Sequence, residues 1–294
     1  MDDANRKQPS AAYAAQLARG EAQPREARER RRAVLVTGAS SGIGAAAAEL
    51  LSQRGFRVYG ASRSARADGD AIRWLALDVR DEASVQRAVE KIIAAEGALY
   101  GAVCNAGIGI FGSVEETPME RARAQFETNV FGVLHTLRAV LPPMRAAKAG
   151  RIAIVGSLAA RAPIPFQAHY SATKGAIESL ALALHNEVRG LGVHVALIEP
   201  GDINTGFNEA TDWGEAAARS AYGAPIRSAE RVIRESLPKA PGPGVVANAV
   251  LHALASRRPR VRYPVGPDSK LVPLGRRLLP ERAVLAMIRA HFEV

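Results

Sequence analysis

Short apolar runs alternate with longer amphipathic segments along most of this chain. Apolar runs of strand length begin at Ala33, Arg57, Trp74, Ala98, Arg151, Val193 and Val261. Between them, apolar positions recur with helical spacing at 82–96, at 115–148 with a break, at 166–190 and 245–256, and again from Glu281 to His291. Parallel strands need helical crossovers of this kind. The pattern therefore predicts an α/β fold with a doubly wound parallel sheet, in a single domain over residues 33–255.

Segments of different composition flank this domain and interrupt it. Residues 1–32 are basic and lack a broad apolar face, which predicts a mobile or partly helical extension. Residues 256–294 form a second basic extension, which we expect to pack on the domain. Within the domain, Phe207, Trp213 and Tyr222 lie among polar residues at about 202–243, which indicates a long substrate loop.

Composition narrows the class of protein. With 294 residues, 48% of them hydrophobic, the chain can bury a sizeable core. It has no apolar run near the ~20 residues of a membrane span and no apolar signal region near its first residue. The single cysteine, Cys104, lies in an apolar run and cannot form an intrachain disulfide, which suits a reducing compartment. We therefore expect a cytoplasmic protein.

The net charge of +10 is concentrated at the two ends of the chain. Residues 1–32 carry +3 and residues 256–294 carry +6, which leaves +1 for residues 33–255. Neither end interleaves aromatic with basic residues, so no nucleic-acid binding is predicted. Solvated tails or a weak contact with an anionic membrane surface are the remaining interpretations. No metal site is predicted.

A glycine-rich turn joins the first predicted strand to the helix that follows it. The glycines allow a tight turn and a close approach of backbone to a diphosphate, and the helix N-terminus offers unpaired N–H groups to the anion. The spacing is G-x-x-x-G-x-G instead of the more widespread G-x-G-x-x-G. The sequence therefore predicts a dinucleotide-binding turn formed by Gly38, Ser40, Ser41, Gly42, Ile43 and Gly44.

The end of the second predicted strand bears on the choice of dinucleotide. Enzymes that select NAD commonly carry an acidic residue there, which binds the ribose 2′-hydroxyl. This chain has Ser62 and Arg63 instead, and a guanidinium suits the 2′-phosphate of NADP. The alternative is a solvent-facing arginine without a ligand. NADP(H) is the predicted cofactor.

Three further segments carry polar or small residues where a site is expected. Asp78 ends the third predicted strand, and Asn105-Ala106-Gly107 follows the fourth, where small residues would let backbone approach a flat ligand. Asn129 lies inside an apolar helical segment, where its amide competes with the backbone for hydrogen bonds. Such local conflicts often mark functional sites.

Tyr170, Lys174 and Ser157 form the candidate catalytic group. Tyr170 and Lys174 are four residues apart in a helical segment, so their Cβ atoms lie roughly 5–6 Å apart on one face. A nearby cation favours the phenolate and lowers the pKa of a tyrosine toward working pH. Ser157 ends the fifth strand, at the edge where open α/β sheets bind ligands. Alternatively, Tyr170 and Lys174 form an ordinary exposed pair.

Taken together, these motifs resemble those of the short-chain dehydrogenase/reductase superfamily over roughly residues 33–255. The resemblance rests on Thr37-Gly38 through Gly44, Asp78-Val79, Asn105-Ala106-Gly107, Asn129, Ser157, Tyr170 with Lys174, and Pro200-Gly201, in this order. The glycine spacing is that of the short, single-domain type. Longer epimerases and dehydratases usually show TGxxGxxG and a separate substrate domain. The C-terminal segment is similar to that of 17β-hydroxysteroid and retinol dehydrogenases.

The resemblance implies a role for each matching residue. Tyr170 would be the acid/base, Lys174 would bind the nicotinamide ribose and lower the tyrosine's pKa, and Ser157 would polarise the carbonyl. Asn129 would hold a water in a proton relay. Asp78 and Val79 would meet the adenine, Asn105 to Gly107 would support the cofactor, and Pro200, Gly201 and Thr205 would place the nicotinamide.

The implied activity is hydride transfer between NADP(H) and a carbonyl or secondary alcohol. Because the cellular NADP pool is normally reduced, we expect reduction of a ketone or aldehyde. The substrate is expected to be apolar, and the candidate walls of its pocket are Ile108, Ile110, Phe111, Leu158, Ile164, Phe166, Phe207 and Trp213. The alternatives are a non-catalytic NADP sensor, which would usually lack the tyrosine or lysine, and an NADP-dependent epimerase or dehydratase. Apolar stripes at 115–148 and 166–190 predict a homodimer or homotetramer.

Overall fold

Seven parallel strands form one sheet in the computed structural model, which describes residues 32–64, 67, 69, 71–207, 211–213, 219–266 and 268–294. The strands are β1 (Ala33–Thr37), β2 (Arg57–Ser62), β3 (Ile72–Ala76), β4 (Gly101–Cys104), β5 (Gly150–Val155), β6 (Val193–Pro200) and β7 (Arg262–Val265). Their order is β3-β2-β1-β4-β5-β6-β7, and each neighbouring pair is parallel. The predicted extension over residues 1–32 lies outside the described residues except for Arg32.

Helices cover both faces of the sheet. In chain order they are α1 (Gly42–Gln53), α2 (Glu82–Glu96), α3 (Met119–Phe126), α4 (Gly132–Ala146), α5 (Ala168–Val188), α6 (Gly223–Ser236), α7 (Gly244–Ala255), α8 (Asp268–Leu278) and α9 (Glu281–Phe292). Leu35 of β1 packs with apolar residues of α2, α4 and α5, whereas Val34 and Val36 pack with those of α1 and α7. Successive strand side chains point to opposite faces, which explains this division. The predicted doubly wound sheet is confirmed.

Several element boundaries differ from those predicted. Strand β3 begins at Ile72 and already ends at Ala76. Asp78 therefore lies in the loop after the strand and not at its last residue. The helix predicted over 115–148 begins only at Met119, after Pro118. The break predicted within it is a π-helical turn, Glu127–Phe131, which separates α3 from α4. Such π-helical turns are rare in proteins, and those that occur are often found at functional sites.

The interpretation of residues 202–243 as one long loop was wrong. Helix α6 occupies its second half, and it buries Ile226, Ala229 and Ile233, which recur with helical spacing. Helix α8 was also not predicted. Within the described ranges, no helix combines the length and the apolarity that a membrane span requires.

The last helix packs on α6 beside the sheet. Phe292 and Val294 lie partly buried against a cluster that contains Ile226 and Ile233. Glu293, which follows α9, forms an ion pair with Arg231 of α6. Residues 281–294 therefore belong to the same packed unit as α6.

Candidate active site

A cavity of about 810 Å³ opens at the carboxyl edge of the sheet. It extends from the glycine-rich turn after β1, past the ends of β4, β5 and β6, to helices α6, α8 and α9. The strand order reverses between β1 and β4, and open α/β sheets bind ligands at such a point. The fold therefore brings all predicted site residues except Gly44 and Asn129 to one cavity.

The glycine-rich turn is too tightly packed for side chains at two of its positions. Gly38 has a φ of +64°, and a Cβ on it would lie 2.9 Å from the Cα of Ala106. A Cβ on Gly44 would lie 2.2 Å from the carbonyl oxygen of Gly38. Helix α1 begins at Gly42 with no acidic residue in its first turn and no side-chain cap from Ser41. This turn could hold the diphosphate of a dinucleotide at the helix N-terminus.

Asn105 ties the end of β4 to the glycine-rich turn. Its Nδ2 donates hydrogen bonds to the carbonyl oxygens of Thr37 and Gly38, at 3.0 and 3.2 Å. The backbone N–H groups of Asn105 and Ala106 donate to Thr37 Oγ1 at 2.9 and 3.2 Å. Thr37 was not predicted as a site residue, yet its hydroxyl fixes the relative position of the two turns. The sequence feature that could have identified Thr37 is that it is the single polar residue at the end of a buried strand.

Arg63 and Asp78 line the end of the cavity that lies after β2 and β3, together with an unpredicted residue, Arg80. The Arg80 guanidinium binds the Asp78 carboxylate through Nε to Oδ1 at 3.0 Å and Nη2 to Oδ2 at 2.6 Å. This pairing lowers the pKa of Asp78, and the more distant charge of Arg63 acts in the same direction. Ser62 donates to the carbonyl oxygen of Ser64 at 2.7 Å. With Asp78 neutralised by Arg80, the exposed Arg63 leaves this end positively charged.

Asn129 lies in the π-helical turn and does not line the cavity. Its Oδ1 accepts a hydrogen bond from the N–H of Ile108 at 2.8 Å, and its Nδ2 donates to the carbonyl oxygen of Ile108 at 3.0 Å. Nδ2 also approaches Thr173 Oγ1 at 3.2 Å, and the Thr173 hydroxyl donates to the carbonyl oxygen of Tyr170 at 2.7 Å. The amide therefore links the segment after β4 to the helix that carries Tyr170.

Ser157, Tyr170 and Lys174 converge on the middle of the cavity. Ser157 lies two residues after β5, and its Oγ accepts a hydrogen bond from the N–H of Ala159 at 3.1 Å. The Ser157 hydroxyl is near enough to Tyr170 to lower the pKa of that tyrosine. Lys174 Nζ donates to the carbonyl oxygen of Val155 at 3.0 Å and lies 5.6 Å from the centre of the Tyr170 ring. The three predicted groups therefore share one site.

The pKa of Tyr170 is not brought toward neutral pH in the protein by itself, although the sequence predicted that Lys174 would lower it. Burial raises the pKa of Tyr170 to about 12, against the opposing effect of the Ser157 hydroxyl. Burial likewise lowers the pKa of Lys174 to about 8. Desolvation disfavours the charged form of either group, and it is the largest influence on both pKa values. At neutral pH the tyrosine is thus a protonated hydroxyl, which can donate a proton.

An ion-pair network braces the segment after Ser157 against the end of β6. Arg161 Nε lies 3.2 Å from both Glu178 Oε1 and Glu199 Oε1. Arg262 reaches the same two carboxylates at 2.5 and 2.6 Å. Burial raises the pKa of Glu199, although both arginines oppose that shift. The network holds together α5, β6 and β7 directly behind the cavity.

The segment after β6 closes the cavity over the glycine-rich turn. The N–H of Gly201 donates to the carbonyl oxygen of Val265 at 2.9 Å, which anchors Pro200 and Gly201 to β7. A Cβ on Gly42 would lie 3.4 Å from the Cβ of Thr205. Ser236 of α6 donates to Asp202 Oδ2 at 3.0 Å, so α6 is tied to the same segment.

Only half of the predicted pocket walls line the cavity, namely Ile108, Leu158, Ile164 and Phe207. Ile110 and Phe111 are buried core residues, and Phe166 and Trp213 pack against Phe111 with ring centres 6.1 and 5.1 Å away. The prediction was wrong for these four residues, because aromatic residues in a loop can equally well support one another. The unpredicted part of the wall comes from Ile233, Leu237, Val272, Leu279, Val284, Met287, Ile288 and Phe292.

Residues 32–215 match the model of the short chain dehydrogenase family. The chain belongs to the short-chain dehydrogenase/reductase family. It is 37% identical over 235 residues to the 3-ketodihydrosphingosine reductase of Bacteroides thetaiotaomicron, which covers 80% of this chain and 87% of that protein. It is also 33% identical over 257 residues to human 17-beta-hydroxysteroid dehydrogenase type 1, which covers 79% of this chain and 77% of the human protein. The predicted likeness to 17β-hydroxysteroid dehydrogenases is confirmed.

Solved structures of short-chain dehydrogenases share this fold. A short-chain dehydrogenase from Burkholderia cenocepacia in complex with NADP matches with a TM-score of 0.68 and 26% identity, over 87% of this chain and 97% of that one. Structures in this family hold NAD as well as NADP. The chain is therefore an oxidoreductase of a family whose named members act on hydroxyl and keto groups.

Proposed function

We propose that this short-chain dehydrogenase/reductase uses NADPH to reduce an apolar ketone or aldehyde. The observation that carries the proposal is the convergence of Ser157, Tyr170 and Lys174 on a cavity that has a glycine-rich turn at one end and apolar walls at the other. Bound NADPH would supply a hydride to the carbonyl carbon. The cavity's apolar end would hold the rest of the substrate and exclude water.

In this proposal Tyr170 donates its hydroxyl proton to the carbonyl oxygen as negative charge develops there. Its raised pKa supports this role, because the hydroxyl remains protonated at neutral pH. Ser157, which lines the same part of the cavity as Tyr170, orients the same oxygen. Lys174, held by the carbonyl oxygen of Val155, binds the nicotinamide ribose.

The remaining predicted residues have binding or positioning roles in this proposal. We infer that Asn129 positions Ile108 and the Tyr170 helix, because its amide is hydrogen-bonded to both segments. The other residues bind the cofactor. The glycine-rich turn, Gly38 to Gly44, holds the diphosphate, Asp78 and Val79 border the adenine, Asn105 to Gly107 support the cofactor, and Pro200, Gly201 and Thr205 border the nicotinamide.

The preference for NADPH rests on Arg63. No carboxylate follows β2 at the position where NAD-selective enzymes place one, and Asp78 is already paired with Arg80. A guanidinium forms charge-assisted hydrogen bonds with a phosphate, which favours a 2′-phosphate over a 2′-hydroxyl. We expect Arg63→Ala to weaken NADPH binding about tenfold and to leave NADH binding nearly unchanged.

The test measures the dissociation constants of NADPH and NADH, then turnover of a panel of apolar ketones and aldehydes with each cofactor. Arg54→Ala is the matched control, because Arg54 is also exposed but follows the far end of α1. An Arg63→Ala variant that keeps the full preference for NADPH would contradict the cofactor assignment. Absence of NADPH-dependent turnover across the whole panel would contradict the reductase proposal.

We also infer a homo-oligomer, formed through the region of α3 and α4. Met119 is 59% exposed and Phe131 is 45% exposed in this region. Exposed large apolar side chains on neighbouring helices favour association of identical subunits. Light scattering at micromolar concentration should give a dimer or tetramer, and Phe131→Asp should shift it toward monomer. A wild-type monomer would rule this interface out.

A further inference from the structure

Exposed apolar side chains surround the turn between α8 and α9. Leu278, Leu279, Leu285 and Met287 are 73, 41, 44 and 61% exposed. Leu279 and Met287 also line the cavity, so its apolar wall continues onto the outer surface. Scattered exposed leucines are ordinary, but a group of them at the mouth of an apolar cavity marks a binding surface.

Basic residues accompany this apolar surface. Arg277, Arg282 and Arg289 are exposed in the same stretch, and residues 256–294 contain nine Lys and Arg against three Asp and Glu. One of the three acidic side chains, Glu293, is paired with Arg231. The surface is therefore both apolar and positively charged, which is the composition of segments that lie on anionic bilayers.

Helix α9 has two faces with different surroundings. Val284, Met287, Ile288 and His291 line the cavity and recur with helical spacing, so they share one face. Arg282 and Arg289, seven residues apart, lie on the opposite face, and Leu285 lies beside Arg289 on the helical wheel. The helix therefore separates the cavity from the surroundings and presents guanidinium groups outward.

We propose that a docking face formed by Arg277, Leu278, Arg282, Leu285 and Arg289 rests on an anionic lipid bilayer. An amphiphilic carbonyl lipid then passes from the bilayer between Leu279 and Met287 into the cavity. The carbonyl end reaches Tyr170, and the hydrocarbon chain lies along α9. That the substrate is a lipid rests on the proposed reductase function. The docking face is inferred separately, from the exposure and charge of its residues.

A second copy of the chain fits this face less well than a bilayer does. In a two-fold symmetric dimer each patch meets the same patch of its partner. Arg277, Arg282 and Arg289 would then face the same three arginines across the interface, and like charges at an interface are unfavourable. An anionic bilayer instead provides opposite charge and an apolar layer for the leucines.

The test is co-sedimentation of the full chain with vesicles of phosphatidylcholine containing one third phosphatidylglycerol. Wild-type protein should sediment with these vesicles, and binding should fall with added salt and on vesicles of phosphatidylcholine alone. Each arginine near an anionic surface contributes about fivefold in partitioning, so Arg277→Glu/Arg282→Glu should lose more than about 25-fold. Leu278→Asp/Leu285→Asp should lose about tenfold or more.

The control is Arg189→Glu/Leu191→Asp, which makes one change of each kind at exposed residues of the turn before β6, at the opposite edge of the sheet. It should bind vesicles like the wild type. The proposal would be overturned if the wild type did not bind vesicles. It would also be overturned if both docking-face variants bound them as well as the wild type does. A dimer in light scattering that only the docking-face variants abolish would overturn it too, because the face would then be an interface between copies.

Activity measurements separate this proposal from the reductase proposal. The docking-face variants should reduce a water-soluble ketone at the wild-type rate, and a long-chain ketone held in vesicles at least about tenfold more slowly. If vesicle binding holds but no ketone is reduced, the reductase proposal fails and the docking face stands. If soluble ketones are reduced without any vesicle binding, the docking proposal fails and the reductase stands.

Discussion

Tyr170→Phe is expected to lower kcat for carbonyl reduction by about 10³-fold while the dissociation constant of NADPH stays within about twofold. The substitution removes only the hydroxyl, whose proton is needed as the carbonyl oxygen becomes negative. The interaction lost is made in the transition state and not with the bound cofactor, so KM for the ketone should change little. Steady-state kinetics and NADPH titration of the same preparation check both parts.

Tyr100→Phe is the matched control for this variant. Tyr100 directly precedes β4 and lies far from the carboxyl edge of the sheet. Its hydroxyl donates a hydrogen bond to the carbonyl oxygen of Leu254 at 2.7 Å. Removing it should cost about 1 kcal/mol of stability without changing turnover. Near-normal turnover of Tyr170→Phe would show that Tyr170 is not the proton donor. Absence of turnover in the wild type would make the NADP sensor the better interpretation.

Lys174→Met is expected to lower NADPH affinity about tenfold and kcat about a hundredfold, because it removes both a ribose ligand and the cation beside Tyr170. Any alcohol oxidation that remains should need higher pH, since a nearby positive charge favours the phenolate. Lys91→Met, at an exposed position of α2, provides the control. Unchanged NADPH affinity in Lys174→Met would contradict the ribose contact.

The Lys174→Met variant should be more stable than the wild type near neutral pH. Burial lowers the pKa of Lys174 from 10.5 to about 8, so at pH 7 the folded protein carries a buried cation that it disfavours. Methionine removes this cost, and the free energy of unfolding should rise by about 1–2 kcal/mol after allowing for the lost hydrogen bond to Val155.

The pH dependence of this gain follows from proton binding. Between pH 8 and 10.5 the unfolded chain holds a proton on Lys174 that the folded chain has released, so the stability of the wild type rises with pH in this range. The advantage of Lys174→Met should therefore shrink from pH 8 upward and vanish near pH 10.5. Urea unfolding without cofactor measures it, and a gain that is constant with pH would mean that Lys174 is not desolvated.

The sheet could be predicted from the sequence because most of its strands are buried on both faces. Such strands are continuous apolar runs, and β1, β4 and β6 contain them. Edge strand β3 is only partly buried, and Arg73 within it binds Glu96, so its first residues read as polar loop. Helix α6 was missed because Gly223 and Pro225 begin it and Pro238 follows it, which gives the composition of a loop.

The site was predictable where local chemistry defines it and not where tertiary packing does. The glycine-rich turn and the Tyr170–Lys174 pair depend on spacing along the chain, and the structure brings both to one cavity. The placement of α9 over the cavity does not follow from its own sequence, because an amphipathic helix does not specify which apolar surface it covers. The pKa of Tyr170 was misjudged for a similar reason, since its burial depends on distant residues such as Phe207.

The outer wall of the cavity and its inner end are formed by different parts of the chain. The inner end contains the glycine-rich turn and the catalytic side chains. The turns and catalytic groups lie within residues 37–205, whereas α6, α8 and α9, which close the cavity, lie within residues 223–292. Changes in this later segment alter the shape and depth of the pocket without touching a hydrogen bond of the glycine-rich turn or of Tyr170. Relatives can thus diverge in substrate while keeping one chemistry, and exchange of residues 223–292 between them is a direct route to new substrate ranges.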